Sequence, residues 1–153
     1  MDSASTQTET ITVRRVLPGS PERVFACWTE AEHLANWFRP QPTLTTPLVE
    51  LDLRVGGKYR IGIHDAEKDE TYICNGEFKE IDPPRKVAYT WDWENPGMSG
   101  IDSLVTVEFE PHGDAETEVT VTHAFADPAK VGHHEQGWEG CLAQLESLLG
   151  SKG

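Results

Sequence analysis

The sequence is poor in positive charge, in cysteine and in long apolar runs. Lysine and arginine number 13 against 26 acidic residues, a formal charge of −13. Such a field repels phosphate backbones and anionic lipid surfaces, which argues against nucleic-acid binding. No apolar run approaches the ~20 residues of a membrane span, so membrane insertion is not expected. The cysteines, Cys27, Cys74 and Cys141, are far apart and odd in number. That excludes a disulfide framework and a CxxC centre. It predicts a cytoplasmic protein with reduced thiols, each a small buried apolar group. No GxGxxG, P-loop or GxSxG motif occurs. The opening MDSASTQTET has neither the basic nor the apolar part of a secretory signal.

What remains is one ordinary domain. The chain has 153 residues and a mass of 17.1 kDa, enough to bury a core without metals or disulfides. Residues 1–9 are expected to form a flexible polar tail, and residues 10–150 a single domain. Ile11 and Val13 alternate with polar neighbours and predict a first strand over Thr10–Leu17. Pro18-Gly19 ends it. Ser20 has the chemistry of an N-cap, with Pro21 at the first helical position. Two short helices follow, the second over Ala31–Phe38, stopped by Pro40 and Pro42.

A β-rich middle comes next. Pro47 marks an edge or a bulge in Thr43–Leu53, and Gly56-Gly57 marks a hairpin. Period-two patterns then place Tyr59, Ile61 and Ile63 on one face, Tyr72, Cys74 and Phe78 on another, and Val87, Tyr89, Trp91 and Trp93 on a third. Val105, Val107 and Phe109 repeat the pattern, as do Val119, Val121, His123 and Phe125. From Asp127 the period becomes helical. Asp127 reads as a cap and Pro128 as the first helical residue, with Trp138, Leu142, Leu145 and Leu149 on one stripe and Gly150 as the stop. Gly132, Gly137 and Gly140 weaken the first half of this helix by up to about 1 kcal/mol each. They signal either a bend or close packing against bare backbone.

Six to seven antiparallel strands followed by a long helix predict an α+β fold, a curved sheet wrapped around its C-terminal helix. Tyr59, Ile61, Tyr72, Cys74, Trp91, Trp93, His123, Trp138 and Leu142 point inward. The same list describes a solid core or an apolar pocket with a few polar handles. His123 is either a satisfied core histidine or a group that orients or protonates a ligand. His133-His134-Glu135 lacks the second histidine of a zincin motif, since position 138 is tryptophan, so no metal is expected. No cofactor is called for.

Several stretches carry a family resemblance: VFACWTEAEHLANWF (24–38), ELDLRVGGKYRI (50–61), GEFKEIDPPRKVAYTW (76–91), LVTVEFEPHGDAETEVTVTH (104–123) and GHHEQGWEGCLAQLESLL (132–149). In this order they resemble the Hsp90 ATPase activator homologue (AHSA1-like) family of the START/Bet v 1-like superfamily. The resemblance implies the helix-grip fold. It implies that the short helices lie at one mouth of a cavity, with Trp37 and Phe38 as a lid. With the large side chains on the inward strand faces, the expectation is a small hydrophobic or aromatic ligand held between sheet and C-terminal helix, Cys141 included in its lining. Its alternatives are stimulation of an Hsp90-type chaperone ATPase, which makes a chaperone a partner, and a cavity enzyme using His123. Monomer and homodimer are both open.

Overall fold

The computed structural model describes residues 9–97, 99–127, 129, 131–132 and 134–151. β1 spans Glu9–Pro18, so the strand takes one residue from the expected tail; residues 1–8 lie outside the described residues. Ser20 then accepts a hydrogen bond from the Arg23 N–H at 3.2 Å and caps α1, Pro21–Thr29, as its chemistry predicts. α2, Ala31–Trp37, follows directly.

The remaining strands are β2 (Thr45–Leu51), β3 (Lys58–Asp65), β4 (Glu70–Asp82), β5 (Lys86–Trp93), β6 (Ser103–His112) and β7 (Glu116–Phe125). All pair antiparallel in one sheet ordered β1-β7-β6-β5-β4-β3-β2. The two helices connect its opposite edges. Register shifts interrupt β2 between Thr45 and Leu48, around Pro47, and β4 between Phe78 and Glu80. Such bulges increase local twist and help curl the sheet. At the β2–β3 hairpin Gly56 has φ +89°, a backbone that L side chains rarely adopt.

α3, His134–Ser151, completes the helix grip, packing across β1 and α2. Its start corrects the expectation of a helix from Asp127. The Asp127 carboxylate accepts from the Ala129 N–H at 3.0 Å, a local turn. Gly132 has φ +50°, outside helical space. The helix begins where His134 N–H reaches the Val131 carbonyl at 3.1 Å. Pro128 and His133, which entered the helix and metal readings, lie outside the described residues. At the other end α3 continues through Gly150 to Ser151 rather than stopping at the glycine.

The core is aromatic. Trp28 stands 4.8 Å from Trp37, 5.9 Å from Phe109 and 6.2 Å from Trp138, ring centre to ring centre. Its indole N–H donates to the Tyr89 hydroxyl at 3.1 Å, so a buried donor is satisfied and α1 is tied to β5. No helix among the described residues is long and apolar enough to cross a membrane.

Candidate functional site

Strand parity puts Trp91 and Trp93 of β5 on the same face as Ile63 of β3, and that face looks toward α3. On α3, His134, Gly137, Trp138 and Cys141 fall at i, i+3, i+4 and i+7, one helical face. The end of α2 contributes Phe38 and Pro40. Together these residues line a partly open cleft of about 320 Å³, almost wholly apolar. That is roughly twice the ~150 Å³ cavity that accepts benzene in an engineered protein core.

The cleft exists because of two glycines with opposite surroundings. A Cβ at Gly140 would stand 2.8 Å from the Pro40 carbonyl carbon and closer still to its oxygen. Only glycine lets α3 approach the α2–β2 connection this closely. A Cβ at Gly137 would meet nothing within 4 Å. Thus one glycine docks the helix and the other leaves space beneath it.

Apart from the Trp91 indole N–H, the ring nitrogens at the walls are held in two closed relays. In the first, Trp93 donates its indole N–H to His134 Nε2 at 3.1 Å, and His134 Nδ1–H donates to the Val131 carbonyl at 2.7 Å. In the second, Trp138 donates to His123 Nδ1 at 3.0 Å, His123 Nε2–H donates to Ser103 Oγ at 2.9 Å, and Ser103 donates to the Trp91 carbonyl at 2.8 Å. An indole can only donate, so each partner nitrogen must be unprotonated and each imidazole neutral. Burial pushes the His123 pKa down to about 3, with the neighbouring His134 adding to the effect. Burial also lowers His134, partly opposed by its bond to Val131. His123 is completely buried behind the cleft wall, stacked 4.0 Å from Phe125. Both its nitrogens are engaged, so proton transfer to a cleft occupant would have to break a relay bond.

Cys141 lines the cleft, but burial pushes its thiol up to about 12, which removes the thiolate needed of a nucleophile. Among the described residues one cluster, Glu30, Glu32 and His33, brings possible metal-ligating atoms within 4.8 Å of one another. It is largely exposed and away from the cleft walls, and His33 already faces Glu30 at 3.4 Å.

Of the residues singled out in the sequence, Trp91, Trp93, Trp138 and Cys141 meet at the cleft. Tyr59 and Ile61 border a separate hollow of about 20 Å³, room for little more than a water. Cys74 and Leu142 are completely buried and line neither space. Trp37 is also completely buried, its N–H donating to the Cys27 carbonyl at 2.9 Å. It is a core anchor rather than a lid, because α2 folds it inward while Phe38 alone reaches the cleft. Tyr72 sits half-buried with its hydroxyl donating to Glu70 at the strand end. Pro40, Ile63, His134 and Gly137 belong to the cleft but not to the expected lining. The i, i+3, i+4, i+7 spacing on α3 was the available signal for two of them.

A third hollow, on the outer face of the sheet, is polar. Arg60 grips Glu94 there with bonds of 2.7 and 2.8 Å, and Asn75 donates to the same carboxylate. Those bonds, Arg60 first, hold the Glu94 pKa down to about 2.

Comparison with solved structures finds the same architecture repeatedly. The AHSA1 protein from Silicibacter pomeroyi is 25% identical, with a TM-score of 0.80, covering 95% of this chain and 100% of its own. A protein from Nitrosomonas europaea is 24% identical, with a TM-score of 0.78 and coverage of 99% and 98%. An AHSA1-like protein from Aeromonas hydrophila, solved by NMR in solution, is 18% identical, with a TM-score of 0.75 and coverage of 95% and 94%. No curated protein sequence matches the chain. The family model for "Activator of Hsp90 ATPase homolog 1-like protein" matches residues 18–150. The chain therefore belongs to the Activator of Hsp90 ATPase homolog 1-like family, within the START/Bet v 1-like superfamily.

Proposed function

We propose that the protein binds a small hydrophobic or aromatic molecule in the cleft between α3 and β5. The observation that carries this reading is the open, apolar space of about 320 Å³ walled by Trp91, Trp93 and Trp138. The lining is almost wholly apolar, and the volume lies within the range of small-molecule pockets. Ligand specificity would come from the indole planes, which favour flat partners. His123 acts through Trp138, fixing the orientation of that wall.

The test uses N-phenyl-1-naphthylamine, an uncharged dye that brightens in apolar surroundings. The expected result is a saturable, one-to-one fluorescence rise, abolished by Gly137→Phe, whose ring would occupy the cleft. No saturable rise, together with no thermal stabilisation by neutral aromatic compounds, would overturn the proposal.

A co-chaperone-like role is the second reading, favoured by the family match and by the formal charge of −13. Titration into an Hsp90-type ATPase assay tests it. A salt-sensitive stimulation supports it, and a flat rate with no detectable complex removes it.

A further inference from the structure

We propose that the occupant of the cleft is a flat, uncharged aromatic compound carrying an acceptor oxygen, and that Trp91 donates its indole N–H to that oxygen. This rests on the reading of the cleft as a binding site and adds the polar anchor that selects its ligand.

Among the described residues Trp91 Nε1 is the one buried side-chain nitrogen or oxygen atom without a hydrogen-bond partner. Trp91 is itself only 5% exposed. The other indoles around the cleft are satisfied: Trp93 by His134, and Trp138 by His123. Trp28 and Trp37, deeper in the core, are satisfied too. Native proteins seldom leave a buried donor unpaired, and an orphan on the wall of a binding space calls for a partner that arrives from outside. Trp91 lines the aromatic cleft, the binding space beside this indole, and the partner reaches the closed N–H when the packing over it opens toward that space.

An indole N–H is a donor only, so the partner must be an acceptor. A carboxylate is disfavoured, because burial of a charge needs a counter-charge and no side chain lining the cleft supplies one. His134 is neutral in its relay. Arg39, between the lining residues Phe38 and Pro40, commits its guanidinium to the Ala35 and Asn36 carbonyls and the Thr46 hydroxyl. What fits is a ketone, ether or quinone-type oxygen on a ring system. The ring contacts come from Trp93 and Trp138, whose centres lie 5.4 and 5.2 Å from that of Trp91.

The test compares 9-fluorenone with fluorene, which share a skeleton and differ in the acceptor. Affinities are measured by calorimetry for the natural protein and for Trp91→Phe. Taking the ratio of the two ligands within each protein cancels their difference in hydrophobicity. The expected result is that the preference for the ketone is about tenfold smaller in Trp91→Phe. A second readout needs no variant: fluorenone, and not fluorene, should shift the Trp91 indole N–H proton resonance downfield. Equal ratios, or an unmoved indole resonance while both compounds bind, overturn the anchor and leave the binding cleft standing. If neither compound binds and the naphthylamine dye also fails, the cleft reading falls and the anchor falls with it.

Discussion

The two glycines of α3 allow one chemical change to be made twice with opposite results. Gly→Ala inside a helix stabilises by about 0.5–1 kcal/mol, because glycine loses more backbone freedom on folding. Gly137 sits over the cleft with nothing within 4 Å of the site of a new methyl group. Gly137→Ala should therefore return most of the propensity term. For a chain of this length that raises Tm by about 1–4 °C. At Gly140 the same methyl would stand 2.8 Å from the Pro40 carbonyl carbon and 3.0 Å from its Cα. These are backbone atoms beside a proline ring, which yield poorly. Overpacking of this kind costs about 1–3 kcal/mol, which outweighs the gain. Gly140→Ala should lower stability by about 1–2 kcal/mol net. Urea unfolding of the two variants beside the parent measures both signs, and the shared helix cancels the propensity term from their difference. Equal effects would refute the placement of α3 on the Phe38–Pro40 connection and, with it, the origin of the cleft.

Acid stability follows from His123. Its pKa is about 3 in the folded protein against an ordinary 6.5. Between those values the unfolded chain takes up a proton that the folded chain refuses, so stability is full above about pH 6.5 and falls as pH drops toward 3. Between pH 7 and pH 5 the parent should lose about 2 kcal/mol more than His123→Gln, which keeps a donor and an acceptor but does not titrate; equal losses would remove His123 as the cause. His123→Ala should cost about 2–4 kcal/mol in denaturant unfolding, since it opens a cavity and strands the buried Trp138 N–H. A change under about 0.5 kcal/mol would contradict the relay. Cys141 should label slowly with maleimide at pH 7 despite lining the cleft, and peptide mapping that finds it modified as fast as an unfolded control would contradict its raised pKa.

Much of the fold was legible in the chain because strands whose one face is buried must alternate. Tyr59-Ile61-Ile63 and Val87-Tyr89-Trp91 did so without ambiguity, and Ser20-Pro21 marked a helix start through its own hydrogen-bonding chemistry. The start of α3 was misplaced because Asp127-Pro128 carries the local signature of a cap, whereas the backbone at Gly132 turns left-handed before the helix begins. The cleft was legible only as a set of residue types. Core and pocket walls have the same composition, and what separates them is empty volume, which depends on where Gly137 and Gly140 fall against Pro40. The bonding of His123 was hidden for a related reason: Ser103 and Trp138 are 20 and 15 residues away along the chain, and the pairing of β6 with β7 brings in the first while the docking of α3 brings in the second.

The most direct test of the account is a crystal of the protein grown with 2-bromonaphthalene, in which anomalous scattering locates the bromine without reference to any interpretation of weak density. The account predicts a single strong peak between Trp91, Trp93 and Trp138, beneath Gly137. A cleft without a peak at saturating compound, or bromine bound only on the outer face of the sheet, would contradict it.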